Sequence, residues 1–418
     1  MLTKSGDKDS QMNRARKIYC RVFQKAFRIA IPLLPYRKPE ILNGINELPG
    51  LFRSKGIKSV LLVTDKGIRS MGLTKNLEAI MAENGIALSV YDDTVANPTT
   101  ENVEEARRLY ISSEAEAIIG FGGGSSIDAA KAVGARIAYP KKPLSKMEGI
   151  LKVLRKIPLL VAIPTTAGTG SETTLASVIV DSRTRHKYPI NSFPLIPRYA
   201  VLDPEATRTL PPSLTASTGL DALTHAVEAY IGGSTTRETR KSAREAVRLI
   251  FSSLTEAYHN GNDMEARRNM LHAAFLAGSA FTVSYVGYVH AVAHSLGGKY
   301  NIPHGLANAV LLPYVLEKYG EKAEKKLAEL ADAAGISGTD AHEKALSFIN
   351  AIKAIEREMN IPEKLSGINV EDIHELSEYA DKEANPLYPV PMLMDAKELE
   401  EFYFDVAETK KANVVTIA

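Results

Sequence analysis

The sequence predicts an α/β domain with a mainly parallel sheet, followed by an all-helical domain. Up to about residue 210, short apolar runs alternate with amphipathic runs, and beyond that point long helical patterns follow one another. The change falls near the pair Pro211-Pro212. The chain has 418 residues, which is too long for one ordinary core and sufficient for two. We therefore expect domains over residues 1–210 and 211–418.

The first domain alternates predicted strands with predicted helices. Strands are expected over Ser59–Val63, Ala87–Tyr91, Ala117–Phe121, Leu159–Ile163, Ser177–Val180 and Ala200–Leu202, and helices over Thr74–Glu83, Glu101–Tyr110 and Ile127–Ala138. Because strands alternate with helices of this length, we expect a largely parallel sheet with helices on both faces.

The second domain is predicted to be helical almost throughout. Its first helices are expected over Leu214–Ile231, Glu238–His259 and Met264–Ser284, and further helical patterns continue to Glu408.

The composition excludes several classes of protein. No run of 18 apolar residues occurs, so we expect no membrane span. Lys plus Arg (51) nearly balances Asp plus Glu (49), which removes the electrostatic argument for a nucleic-acid partner. The single cysteine, Cys20, excludes an internal disulfide framework and fits a reducing compartment. We therefore expect a cytoplasmic protein with no membrane or nucleic-acid partner.

The N-terminal extension, residues 1–38, departs from this balance of charge. From Gln11 to Pro39 there is no acidic residue and there are eight basic ones, and apolar residues recur at helical spacing. This predicts a basic amphipathic helix packed on the first domain. A transit peptide and a membrane-surface arm remain alternatives, whereas the apolar region of a secretory signal is missing at the N-terminus.

A glycine-rich segment, from Gly120 to Ser126, lies between a predicted strand and a predicted helix. Glycines there let the backbone approach a phosphate, and the helix N-terminus supplies oriented N–H groups. The segment does not match the GxGxxG fingerprint, because Ser125 stands where the third glycine is required. A tight turn without a ligand is the alternative interpretation.

Two further features favour a nucleotide site. The segment from Ile163 to Glu172 also follows a predicted strand and carries Thr and Ser hydroxyls beside glycines. Asp65 ends the first predicted strand, where a carboxylate suits the ribose 2′-hydroxyl of NAD. In the usual fingerprint the acidic residue follows the glycines, whereas here it precedes them. A helix cap or a solvated aspartate therefore remains the alternative for Asp65.

A cluster of histidines marks the helical half. Asp221 and His225 are four residues apart, so a helix places them on one face, as it does His290 and His294; His304 follows. Three imidazoles and one carboxylate suit Fe, Zn, Co or Ni better than Mg or Ca. Spacing alone pairs His290 with His294 as ligands. Each histidine taken singly is better explained as a core residue, and it is the set together that favours a metal.

Taken together, these motifs resemble the iron-containing (group III) alcohol dehydrogenases, a family that includes lactaldehyde reductases and 1,3-propanediol dehydrogenases. The resemblance covers roughly residues 40–405, and the basic N-terminal extension is its main departure. The segments that carry it are residues 63–66, 97–99, 122–125, 163–172, 219–230 and 290–305.

The resemblance implies that Asp221, His225, His290 and His304 hold a catalytic divalent metal, Fe(II), with Zn(II) as the alternative. His294 is then beside the nicotinamide, as an indirect or proton-relay residue rather than a ligand. The metal acts as a Lewis acid and NAD exchanges hydride with the substrate. The residues matched to NAD binding are Asp65, Asn97, Gly123, Gly124, Ser125, Thr165, Thr166, Thr169 and Lys187.

The expected activity is NAD-dependent alcohol dehydrogenation or aldehyde reduction on a small primary alcohol or aldehyde, in a homo-oligomer of two or more chains. Three alternatives stay open. The first is a zinc-dependent glycerol- or polyol-type dehydrogenase of the same superfamily. The second is the related fold of dehydroquinate synthase, and the third is a catalytically silent NAD-binding or filament-forming protein.

Overall fold

The computed structural model describes residues 12–408. The first eleven residues of the predicted extension and the last ten of the predicted helical domain lie outside the described residues. The strands are β1 (Glu40–Leu42), β2 (Ser59–Val63), β3 (Ala87–Tyr91), β4 (Ala117–Gly122), β5 (Gly149–Ile150), β6 (Leu159–Pro164), β7 (Ala176–Val180), β8 (Lys187–Asn191) and β9 (Tyr199–Val201).

The helices of the first half are α1 (Arg14–Ala30), α2 (Leu48–Ser54), α3 (Lys66–Ser70), α4 (Lys75–Glu83), α5 (Thr100–Ser112) and α6 (Gly124–Ala138). The second half holds α7 (Pro212–Ile231), α8 (Arg237–His259), α9 (Met264–Ser284), α10 (Tyr288–Tyr300), α11 (His304–Tyr319), α12 (Glu324–Ala333), α13 (Ala341–Glu358), α14 (Ile373–Ala384) and α15 (Ala396–Val406).

The predicted parallel sheet is confirmed. Six strands pair in the order β1-β9-β6-β4-β2-β3, and every neighbouring pair is parallel. Each residue of β4 is buried, as the central strand of a sheet covered on both faces requires. Because β2, β4 and β6 are adjacent and parallel, the segments that follow them emerge side by side at the carboxyl edge of the sheet.

A second sheet of three strands was not foreseen. The predicted strand at Ser177–Val180 exists as β7, but it pairs antiparallel with β8 and takes no part in the main sheet. Strand β8 was not predicted because it contains Pro189, and a proline inside a strand weakens its sequence signal. The pairing of β5 with β8 completes this small sheet.

The described residues form two compact units. One comprises residues 30–230 and 235–284, so it contains both sheets and helices α7 to α9; the other comprises residues 12–29, 231–234 and 285–408. In the first, α9 packs on α8 and also contacts the short helix at Ser171–Thr173. Strand β9 is the last described strand, and the elements from α7 onward are helices. The domain boundary near Pro211-Pro212 stays a prediction.

Helix α1 is present as predicted, but its packing differs from the prediction. Its polar side chains contact residues 381–391 of the helical unit instead of the first domain. Arg16 forms two hydrogen bonds of 2.8 Å with the Asp381 carboxylate. Gln24 donates to the Tyr388 carbonyl oxygen at 2.7 Å. The Asp381 carboxylate and the Tyr388 carbonyl oxygen accept from these donors and so decide where the helix docks.

Among the described helices, no single one is long and apolar enough to cross a membrane. Only the consecutive pair α9 and α10, taken together, reaches the required length and hydropathy.

Candidate active site

The glycine-rich segment after β4 leads directly into the N-terminus of α6. Gly123 precedes the helix, and no side chain caps its first turn. Gly122 has φ +150, and a Cβ there would lie 2.5 Å from Ser126 Oγ, so only glycine fits this turn. The first N–H groups of α6 are therefore available to an anionic ligand.

The segment after β6 lies against this turn. The Thr165 amide donates to the Gly122 carbonyl oxygen at 3.0 Å. A Cβ on Gly123 would lie 3.6 Å from the Thr166 methyl group, and one on Gly124 would lie 3.4 Å from the Thr169 methyl group. The buried Thr166 Oγ1 has no hydrogen-bond partner within the described part of the chain. A phosphate or ribose oxygen would satisfy it.

Asp65, at the end of β2, faces the same turn. Its Oδ1 accepts a hydrogen bond of 2.9 Å from the Ile68 amide and so caps α3. Its Oδ2 accepts a hydrogen bond of 3.2 Å from Ser126 Oγ in α6. The capping role that the sequence left open is therefore present. Because a carboxylate oxygen can accept more than one hydrogen bond, this geometry leaves acceptor sites for a ribose hydroxyl.

Asn97 and Lys187 contact each other at the edge of this region. Lys187 Nζ donates to Asn97 Oδ1 at 2.6 Å, and the Asn97 amide donates to Ser125 Oγ at 3.3 Å. Asn97 has φ 57, the left-handed conformation that asparagine tolerates. The structure thus brings together all the residues matched to dinucleotide binding: Asp65, Asn97, Gly123, Gly124, Ser125, Thr165, Thr166, Thr169 and Lys187.

Beneath these loops lies a buried polar network that sequence reasoning missed. Lys131 is fully buried and donates to Ser171 Oγ at 3.1 Å and Thr174 Oγ1 at 2.8 Å. Ser171 Oγ in turn donates to Asp128 Oδ1 at 2.6 Å. Burial lowers the pKa of Lys131 to about 8, against the attraction of Asp128. The network ties α6 to the loop after β6; its only sequence signal is the i,i+3 pair of Asp128 and Lys131.

Helix α7 presents Asp221 and His225 on one buried face. The two residues are 1% and 4% exposed. The His225 ring stacks on Phe281 of α9, with 4.1 Å between ring centroids. One turn before Asp221, Thr218 lies against the loop after β6, where a Cβ on Gly168 would be 2.5 Å from the Thr218 Cβ. The loop and the helix therefore pack in direct backbone contact.

His290 and His304 share a partner that the sequence analysis did not identify. Asn308 Nδ2 lies 3.2 Å from His290 Nε2 and 3.1 Å from His304 Nε2. An amide N–H donates, so both Nε2 atoms are unprotonated acceptors in this arrangement, and an ion bound to them would take the place of Asn308 as their partner. The only sequence signal for Asn308 is its position four residues after His304 on α11.

His294 has a different environment. Its Nδ1 lies 2.6 Å from Glu383 Oε1, which also accepts a hydrogen bond of 2.6 Å from the Tyr388 hydroxyl. Burial acts to raise the pKa of Glu383, but His294 and Tyr388 outweigh it, and the pKa is lowered overall. Glu383 lies 89 residues beyond His294 in sequence, so no spacing could have predicted this pair.

The ligand atoms of Asp221, His225, His290 and His304 all lie within 4.8 Å of one another. Two ligands about 2.1 Å from one ion lie at most about 4.2 Å apart, so the four side chains need to close by only a few tenths of an ångström around one transition-metal ion. The group includes His290 but not His294, although their spacing of four residues in sequence made both candidates for ligands.

Comparison with known proteins gives a consistent result. A family model described as iron-containing alcohol dehydrogenase matches residues 42–204, and one for the C-terminal part of the Fe-containing alcohol dehydrogenase family matches residues 215–405. Alcohol dehydrogenase 4 of Saccharomyces cerevisiae (strain YJM789) is 39% identical over 346 residues, or 82% of this chain and 89% of the relative.

Two further similarities support the same family. The 1,3-propanediol dehydrogenase of Klebsiella pneumoniae is 36% identical over 370 residues, covering 86% of this chain and 94% of the relative. The solved structure of an alcohol dehydrogenase from Oenococcus oeni superposes with a TM-score of 0.84 at 33% identity, over 89% of this chain and 100% of that one. The chain belongs to the iron-containing alcohol dehydrogenase family.

Proposed function

We propose that this protein is an NAD-dependent alcohol dehydrogenase that exchanges hydride between NAD(H) and a small primary alcohol or aldehyde, with a divalent metal at Asp221, His225, His290 and His304. The single observation that carries the proposal is the convergence of these four ligand side chains. The names of the relatives, an alcohol dehydrogenase and a 1,3-propanediol dehydrogenase, support the substrate class.

The donor set fits a catalytic transition metal. It supplies three imidazoles and one carboxylate, the donor types that such ions prefer. At His290 and His304 the ion would replace the Asn308 amide that contacts Nε2 of each ring. When bound, the metal supplies Lewis-acid catalysis and NAD supplies the hydride acceptor.

The residues of the chain bind the cofactor and move the proton. The N-terminus of α6 and the threonines after β6 are suited to the pyrophosphate. Glu383 accepts from His294 Nδ1, which leaves Nε2 of that ring as the atom that can take up or release a proton. The orienting carboxylate makes His294 the candidate for relaying the hydroxyl proton.

The direct test is a spectrophotometric assay of NADH formation with a series of primary alcohols. Purified protein is stripped of metal by a chelator and reloaded anaerobically with Fe(II) or Zn(II), and its metal content is measured. We expect negligible turnover without metal and restored turnover with Fe(II) that fades in air. Absence of turnover with every alcohol and aldehyde, in fully metal-loaded protein, would contradict the proposal and leave a silent NAD-binding protein.

Zinc is the second candidate metal, and the donor set itself favours it. Zn(II) binds imidazole and carboxylate donors more tightly than Fe(II) does, so the iron expectation rests on the family. Activity that is highest with Zn(II) and indifferent to oxygen supports the glycerol- or polyol-type alternative.

Asp65 provides the test of cofactor choice. A carboxylate accepts hydrogen bonds from the ribose hydroxyls of NAD, but would stand close to the 2′-phosphate of NADP. Such like-charge contact costs on the order of several kcal/mol, and each 1.4 kcal/mol is about tenfold in affinity. We therefore expect roughly a hundredfold preference for NAD, which Asp65→Gly reduces mainly by admitting NADP.

The control for this test is the role of Asp65 as the cap of α3. Loss of the cap alone lowers the thermal midpoint and leaves the ratio of kcat/KM for the two cofactors unchanged. An unchanged ratio in Asp65→Gly, or equal use of both cofactors by the native protein, would contradict the assignment.

A further inference from the structure

The side of α1 that faces away from the protein is apolar. Ile18, Tyr19 and Val22 are 55%, 59% and 62% exposed, and Ile29 is 68% exposed. Phe23 and Ala26 are exposed on the same side. Tyr19, Val22, Ala26 and Ile29 follow one another at intervals of three and four residues, so they form one continuous stripe along the helix.

The opposite side of α1 holds the helix in place through polar contacts. Arg16 pairs with Asp381, and Gln24 donates to the Tyr388 carbonyl oxygen. Arg21 donates to the Val390 carbonyl oxygen at 2.7 Å. An ordinary surface helix buries its apolar stripe and exposes its polar face. In α1 most of the apolar residues face solvent instead, although Cys20 is buried and Phe27 packs on Tyr285. The polar contacts of Arg16, Arg21 and Gln24 help to hold the apolar stripe in that direction.

The charges beside the stripe are all positive. Arg14 lies one turn before Ile18, Lys25 lies one turn before Ile29, and Arg28 is exposed nearby. No acidic residue occurs between Gln11 and Pro39. An apolar stripe flanked by basic residues matches a surface that is negative at its boundary and apolar just beneath it.

We propose that this side of α1 docks the protein onto the surface of an anionic phospholipid bilayer, with the helix lying in the plane of the headgroups. The apolar stripe enters the boundary with the acyl chains, and Arg14, Lys25 and Arg28 contact lipid phosphates. A second copy of α1 is a poorer partner, because it brings the same unbalanced positive charge to the contact. This inference takes up the membrane-surface arm that the sequence left as an alternative for this segment, and it does not depend on the proposed enzymatic activity.

The chain contains no tryptophan, which permits a sensitive test in the full-length protein. Tyr19→Trp places one fluorophore in the stripe, and Tyr379→Trp places one at a position of similar exposure, 54%, on α14. On addition of vesicles with about one-third phosphatidylglycerol, we expect a blue shift of emission for Tyr19→Trp and none for Tyr379→Trp. Vesicles of phosphatidylcholine alone are expected to give a much weaker shift, and added salt to weaken the shift seen with the anionic vesicles.

Co-flotation with the same anionic vesicles measures binding itself. We expect the double variant Val22→Gln/Ile29→Gln to lower the bound fraction about tenfold or more, since interfacial binding scales with buried apolar area. The matched control Leu346→Gln/Val370→Gln removes apolar residues of similar exposure elsewhere and is expected to bind like the native protein. An unchanged far-ultraviolet circular dichroism spectrum in all variants verifies that each is folded.

Two results would overturn the inference. One is failure of the native protein to float with anionic vesicles, and the other is equal flotation of the native protein and Val22→Gln/Ile29→Gln. A further measurement is the mass of the assembly in solution. If the native protein does not bind vesicles and Val22→Gln/Ile29→Gln forms a smaller assembly than the native protein does, a second copy of the chain, and not a bilayer, covers the stripe.

Discussion

Helices α7 and α10 each carry two potential metal ligands four residues apart, yet the two pairs have different environments. On α7, Asp221 and His225 are both buried and both belong to the four-residue ligand cluster. On α10, His290 is 2% exposed and belongs to the cluster, whereas the His294 side chain is 42% exposed and outside it. Equal spacing therefore does not imply equal function.

The difference comes from what each ring contacts across the fold. The neutral amide of Asn308 contacts Nε2 of His290, the atom at which a cation would replace it. The Glu383 carboxylate instead contacts Nδ1 of His294, and the same carboxylate accepts a hydrogen bond from the Tyr388 hydroxyl. A carboxylate at Nδ1 orients a histidine ring for metal ligation as well as for proton transfer, so membership of the ligand cluster is what separates His290 from His294.

The largest effect is expected from removing a ligand. His225→Ala and His304→Ala should each lose most bound metal and lower turnover by roughly two to three orders of magnitude or more, since the Lewis acid is the central catalytic element. Metal analysis and steady-state kinetics measure this. His342→Ala, at an exposed histidine paired with Glu324, is the matched control and should behave like the native protein. Full metal occupancy in either ligand variant would remove the assignment.

His294→Ala separates the two members of the α10 pair. We expect its metal content to stay near that of the native protein while turnover falls roughly a hundredfold, as expected for loss of a general acid–base group. His290→Ala, one turn earlier, should lose the metal. If His294→Ala loses metal stoichiometrically, the contrast between the two histidines disappears, and spacing alone assigned the ligands correctly.

Glu383→Gln tests why the two histidines differ. The variant keeps the shape of the side chain but removes the charge that orients His294, so we expect retained metal and a fall in kcat of about tenfold. A shifted pH profile of kcat, with little change in KM for NAD, would distinguish positioning from a general loss of structure. Tyr388→Phe, which removes only the outer hydrogen bond, should have a smaller effect in the same direction. Unaltered kinetics in both variants would show that Glu383 does not orient His294 for catalysis.

The smallest effect concerns stability and pH. The pKa of Glu383 is lowered in the folded protein, so its stabilising contribution is present above the unfolded-state pKa and is lost as pH falls through the folded-state value. Glu383→Gln should therefore lower the free energy of unfolding at pH 7 more than at pH 4. The difference should be below about 1 kcal/mol, because the side chain is partly exposed and screened.

Denaturant titrations at the two pH values measure this difference. Glu378→Gln, at an exposed position on the same helix α14, is the control and should show little pH-dependent change. Equal destabilisation by Glu383→Gln at both pH values would show that packing, and not charge, is lost.

The sequence by itself determined the parallel sheet, the loops at its carboxyl edge and the two i,i+4 pairs. These features depend on local periodicity and on glycine, which act over a few residues along the chain. Strand β2 was predicted with its observed bounds, and the segments after β4 and β6 were each predicted to belong to a nucleotide site.

Only the tertiary structure decided which partner each side chain has. Glu383, the partner of His294, lies 89 residues away from it in sequence. Strand β7 pairs with β8 and not with a strand of the main sheet. The pattern of α1 predicted an apolar stripe but not its direction, because periodicity defines faces without saying which one meets the protein. Long-range contacts between groups distant in sequence set these outcomes, and no local pattern encodes them.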